Sequence, residues 1–209
     1  GTILLRRPAL HEVLLTALED GVVTLGEMRF DLERRRALLR SRDVDVQSRA
    51  QALFSDSGVV TRREALASMR PALDLEGEVS TGHTLFSDLC AQCHRFGEEG
   101  ATLAPDLTEI SRKSAETLLH DIVDPNAAVE NEYLTYIVET DDGLVRTGLV
   151  RAETDEGFVL VEGDGTRTSV SRRSVKEMWS DGLSLMPEEL EVGLDSQAMA
   201  DLLAFLQQE

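Results

Sequence analysis

The chain has 209 residues, of which 42% are hydrophobic, 29% charged and 4% aromatic, with a formal net charge of −18. That is enough chain for two modest soluble domains, and apolar runs such as VLL and YIV fall far short of the roughly 20 residues a spanning helix needs, which excludes a transmembrane segment. Residues 1–76 hold 12 basic and 12 acidic side chains while residues 77–209 hold 9 and 27, so a boundary is expected near Gly77, and the acidic second body is expected to avoid nucleic acid and anionic membrane surfaces.

The start, Gly1-Thr2-Ile3, lacks a Met, and ILLRRPALHEVLL has its basic pair inside the apolar run. It reads as part of a longer polypeptide and not as an export signal. The first body, residues 1–76, predicts helices only. ALHEVLLTALEDG follows Pro8 with Leu10, Val13, Leu14, Ala17 and Leu18 at helical spacing and stops at Gly21. DLERRRALLRS opens at Asp31, and DVDVQSRAQALF opens at Asp43 with Val46, Ala50, Leu53 and Phe54 on one face. Thr61 and Glu64 form a capping-box pattern ahead of Ala65, Leu66 and Met69, and Pro71 interrupts that helix. His11 is expected on the surface, and short helices of this kind fit the end of a helical-repeat array.

The second body, residues 77–209, changes period twice. STGHTLFSDLCAQCH reads as a helix running into a cysteine motif, and SAETLLHDIVD as a helix with Ala115, Leu118, Leu119 and Ile122 aligned, stopped by Pro125. From about 132 to 180 the pattern has period two: YLTYIVET, the turn Asp141-Asp142-Gly143, LVRTGLVRA, FVLV, a Gly163-Asp164-Gly165 turn, TRTSVS and VKEMW. These predict a five-strand antiparallel meander. A loop, SDGLSLMPEEL, then leads to a last helix from about Ser196 with Met199, Leu202, Leu203 and Leu206 on one face. The expected fold is mainly α with a small antiparallel β insertion.

Both cysteines of the chain, Cys90 and Cys93, stand in CAQCH with His94. A thioredoxin-type dithiol needs such a pair at the start of a helix, and here it follows the end of one. A structural zinc site needs four ligands, and only His83 lies near enough to join these three. Both fit poorly. Cys-x-x-Cys-His is the attachment signature of haem c: the spacing brings two thiols to one edge of the porphyrin and aims the next imidazole at the iron. With so few aromatic residues, the core also has room for a bulky apolar group from outside.

One such motif fixes one axial ligand, so a second must be sought among Met28, Met69, Met178, Met186, Met199, His83 and His120. Met199 and His120 lie on apolar helical stripes, Met28 and Met69 in the first body, and Met178 in a strand. Met186 stands in a loop between Gly182 and Pro187, where it reads either as a ligand or as a core filler. Trp179 and Arg112 are candidate donors to a haem propionate.

Residues 77–209 resemble the planctomycete-type haem-binding domain, a branch of the class I cytochrome c superfamily with a β insertion. TGHTLF, CAQCH, APDLT, DIVDPNAAV, DDGLVRTG, SLMP and DLLAFL carry the resemblance, in the family's order. It departs at Ala104, where the family usually has glycine. The resemblance implies one covalent haem c with iron held by His94 and Met186, and a Pro105 carbonyl that accepts a hydrogen bond from the other ring nitrogen of His94. It implies a crossing of first and last helices where Gly82 and Phe86 meet Leu202 and Phe205. It implies an exported, periplasmic domain at the end of a long chain, serving a dehydrogenase.

The expected function is electron transfer by a monohaem cytochrome domain, with no bond chemistry of its own and a redox partner that docks through a basic face. The alternatives are a haem enzyme or gas sensor with an open sixth site, and a scaffold without haem.

Overall fold

The computed structural model describes residues 10–20, 22, 38–39, 41, 43–55, 62–180 and 182–208. Two compact units divide the chain: Gly1–Val59 with Ile137–Arg146 and Ser174–Trp179, and Val60–Tyr136 with Thr147–Arg173 and Ser180–Glu209. The helix expected to open at Asp31 and the Thr61 cap lie outside the described residues, as does Met28.

In the first unit, α1 (His11–Glu19) and α2 (Val44–Ser55) bury Leu14, Leu15, Leu18, Leu38, Val46 and Ala50 together. Asp43 caps α2, its Oδ1 accepting from the N–H groups of Asp45 and Val46 at 2.9 and 3.2 Å. Arg49 bridges the helices by donating to Glu19 Oε2 at 2.6 Å and Thr16 Oγ1 at 3.2 Å. His11 is buried and not on the surface, and Val13 is exposed. The inward stripe is 11, 14, 15 and 18, which is the i, i+3, i+4, i+7 row of a helix rotated one position from the expected one.

The second unit gathers its helices around one apolar cluster. They are α3 (Arg62–Met69), a 3-10 turn at Arg70–Asp74, α4 (Val79–Leu89), α5 (Ala115–Val123) and α6 (Ser196–Leu206). Phe86, Val123 and Met199 are fully buried there. The boundary expected near Gly77 is corrected by this packing, because Ala65, Met69 and Ala72 share the cluster with Phe86 and Leu202. α3 belongs with the second unit.

The α4–α6 crossing is the tightest feature of that cluster. A Cβ on Gly82 would lie 2.0 Å from the carbonyl oxygen of Asp201 and 2.8 Å from Phe205 Cβ, and one on Gly77 would lie 2.2 Å from that of Ala200. Only glycine permits this approach. Phe86, Phe96 and Phe205 close around it, with ring centroids 4.8–5.8 Å apart.

Seven strands are present among the described residues, five of them in the stretch with the period-two pattern. A two-residue hairpin, β1 (Arg95–Phe96) and β2 (Glu99–Gly100), precedes β3 (Thr135–Thr140), β4 (Val145–Arg151), β5 (Gly157–Val161), β6 (Arg167–Ser171) and β7 (Val175–Trp179). The five longer strands order as β6-β5-β4-β3-β7 and pair antiparallel, with Val138 opposite Met178 and Leu160 opposite Thr168. The expected meander thus holds for four strands. The fifth, after a 3-10 turn at Arg172–Ser174, pairs with the first strand instead of the fourth. With a sheet of this size in addition to the helices, the description "mainly α" gives way to helices plus a five-strand antiparallel sheet.

Candidate functional site

The site begins where α4 ends. Glu78 starts that helix by accepting from the hydroxyls and the N–H groups of Ser80 and Thr81; the hydroxyls first, then the N–H groups, draw its carboxyl down to about 2. At the other end Cys90 is the C-cap, its N–H donating to Phe86 O at 2.8 Å. The chain then folds back in a tight turn: the N–H groups of Cys93 and His94 both donate to Cys90 O, at 3.0 and 2.9 Å. That turn puts the two cysteines and the histidine on one short arc.

The following segment is tied onto the arc residue by residue. Leu103 and Ala104 N–H donate to Cys93 O at 3.1 and 2.9 Å, Ala101 N–H to Ala91 O at 2.8 Å, and Leu107 N–H to Arg95 O at 2.7 Å. Gly100, at φ +91°, passes so close that a Cβ would lie 2.0 Å from His94 O. Ala104 is accommodated, half-buried, in this run. Asp106 pairs with Arg95 and accepts from Thr108 N–H at 2.9 Å, and Thr108's hydroxyl and N–H, then Arg95, hold its carboxyl down to about 2.

His94 Nδ1 lies 2.8 Å from Pro105 O, the contact implied by the resemblance. A carbonyl oxygen only accepts, so the proton is on Nδ1 and Nε2 carries the free lone pair. Burial lowers the pKa of the ring, which the Pro105 contact opposes in part. A half-buried neutral imidazole with one nitrogen fixed and the other available is the form that ligates iron. Burial, with Cys93 nearby, pushes the Cys90 thiol up to about 12. That is the reverse of an activated redox dithiol. The two thiols are both half-buried and not joined to each other. Two thiols outside any disulfide and an oriented imidazole on one arc are a donor set that fits haem c, and Cys90, Phe96, Leu107 and Ile110 pack against the helical core. Among the described residues no three His, Cys, Asp or Glu side chains gather as a metal-ion site. His83, the ligand a zinc reading would need, bonds Glu99 Oε2 at 2.6 Å and stacks on Phe205.

Met186 lies half-buried in a loop fastened at several points. Thr135 N–H donates to Leu183 O at 2.9 Å, Ser180 Oγ donates to Thr135 O at 2.7 Å, and Leu134 bridges to Ser184. Further along, Glu191 is 4% exposed and pairs at 2.9 Å with Arg62, which also donates to Val123 O at 3.0 Å. Met69 and Met199 are core, Met178 is a strand residue opposite Val138, and His120 is exposed. Arg112 ends a 3-10 turn with its side chain 80% exposed, 3.3 Å from Glu109. Trp179 ends β7 opposite Ile137, in the first unit.

Sequence reasoning overlooked Gly77 as a packing residue and read it as a boundary. It also passed over Asn126 and Arg62, whose partners lie 58 and 129 residues away. No helix among the described residues is long and apolar enough to cross a membrane.

A search of the curated proteins found no match to the chain. The family model described as Cytochrome c matches residues 79–142. The matched stretch opens with α4 and contains Cys90, Cys93, His94 and Pro105, and ends within the hairpin between β3 and β4. This part of the chain is therefore similar to cytochrome c, which supports a haem-binding, electron-transfer role for the domain that contains it.

Proposed function

We propose that the domain containing residues 77–209 acts as a monohaem c-type cytochrome domain, with Cys90 and Cys93 as thioether anchors, His94 Nε2 as proximal ligand and Met186 as distal ligand. The single observation that carries this reading is the orientation of His94: its Nδ1 proton is held on Pro105 O at 2.8 Å, one residue after the second of two unjoined thiols. When bound, haem supplies a one-electron couple at its iron. The protein's part is to keep the imidazole neutral and aimed, to exclude water with Phe96, Leu107 and Ile110, and to hold the Met186 loop still. A fixed pair of ligands limits rearrangement between oxidation states, and a thioether favours ferrous iron, which raises the potential.

The domain serves as acceptor for a dehydrogenase on the same or a partner chain, in the periplasm or an equivalent exported setting where haem c is attached. Arg112 is the proposed donor to a haem propionate. The acidic surface fits a redox partner with a basic face.

The test replaces Met186→Ala in haem-loaded protein, with Met178→Ala as control. The expected result is retained haem, a high-spin ferric spectrum and a lower potential for Met186→Ala alone. A native low-spin spectrum in that variant would place the sixth ligand elsewhere, and a high-spin wild type would favour the open-site enzyme or sensor.

A further inference from the structure

α5 closes on the turn Asp124-Pro125-Asn126, where Ala127 N–H donates to Asp124 O at 3.1 Å and Pro125 is buried. Neither the thiols nor His94 explains this turn. Asn126 places both ends of its amide on the Met186 loop. Oδ1 accepts from Ser184 N–H at 2.8 Å, and Nδ2 donates to Glu188 Oε1. These contacts fall two residues before and two residues after Met186. Ser184 carries the constraint inward, because its Oγ accepts from Met186 N–H at 3.0 Å.

The loop needs such a clasp. Gly182 and Glu189 sit at φ +78° and +68°, so the backbone turns through the left-handed region on either side of Met186. Thr135 and Leu134 fasten the loop before Met186. Arg62 fastens it after, at Glu191. Asn126 spans the interval between these anchors and holds both flanks of Met186.

We propose that Asn126 is a positioning residue for the axial thioether: it fixes the Met186 loop in its ligating shape through Ser184 and Glu188. This rests on the reading of Met186 as distal ligand. Asparagine is specified over aspartate because one end must accept and the other donate. In Asn126→Asp the acceptor toward Ser184 remains, but a carboxylate oxygen replaces Nδ2 opposite Glu188, and the like charges repel. Glu188→Gln then supplies an amide donor and rebuilds the contact with donor and acceptor reversed.

The experiment titrates the haem-loaded ferric protein with imidazole, an exogenous ligand that competes with the thioether. Its apparent affinity rises in proportion to the fraction of molecules with the loop released, so loss of the clasp is expected to strengthen binding about tenfold in Asn126→Asp and Asn126→Ala. The Asn126→Asp/Glu188→Gln double variant is expected to return to within about twofold of wild type. Because Glu188 is exposed, Glu188→Ala removes that arm without touching the turn and is expected to move the affinity in the same direction should the Asn126 variants fail to fold. Met186→Ala, run alongside, separates the two readings. An unchanged spectrum there removes Met186 as ligand. A normal response there with unchanged imidazole affinity in Asn126→Asp and Glu188→Ala, or with no recovery in the double variant, overturns the role of Asn126.

Discussion

His94 shows how little is needed to orient an imidazole: one carbonyl 2.8 Å away decides which nitrogen keeps the proton. Arg62 does comparable work by a buried ion pair. Its guanidinium joins the buried Glu191 to the last carbonyl of α5, so Arg62→Met leaves a buried carboxylate without its cation. The expected cost is about 3 kcal/mol, read as a lower urea midpoint. A loss below about 1 kcal/mol would make the pair incidental. The Cys-x-x-Cys-His pattern is legible because it lies in five consecutive residues. The settings of Arg62 and Asn126 are not, because a polar side chain's partner 129 or 58 positions away leaves no periodic trace.

Elements were read well wherever a local signal closed them. Ser114 and Asp195 cap α5 and α6, and β7 runs over VKEMW as the alternation indicated. Strand order was missed, since local alternation shows that β7 exists but not that its neighbour is β3. Two tests belong at this scale. Glu78, capping α4, has its carboxyl drawn from 4.5 to about 2 by Ser80 and Thr81. A folded pKa below the unfolded one stabilises above 4.5 and is lost as the pH falls through about 2. Glu78→Gln is therefore expected to be less stable than wild type at pH 7 and equal to it near pH 2, as thermal unfolding across that range would record; a gap that did not narrow would assign the cap no role in acid sensitivity. At the α4–α6 crossing, Gly82→Leu must push Asp201 and Phe205 aside and is expected to cost about 1–3 kcal/mol. An unchanged denaturant midpoint would mean that the crossing yields freely. The crossing itself was foreseen at Gly82, whereas Gly77 was hidden by resembling a linker.

For the whole molecule, charge indicated an acidic second body but misplaced its edge, because α3 joins that body by apolar packing and not by charge. The proposed function rests on one bond type, the thioethers from Cys90 and Cys93 to a porphyrin. The deciding measurement is a pyridine haemochrome spectrum on denatured protein from a host that matures c-type cytochromes, paired with extraction into acidified organic solvent. Covalent attachment predicts one haem per chain, a c-type spectrum and haem that stays with the polypeptide. Haem that passed into the solvent, or protein made in such a host with no haem at all, would refute the cytochrome c assignment.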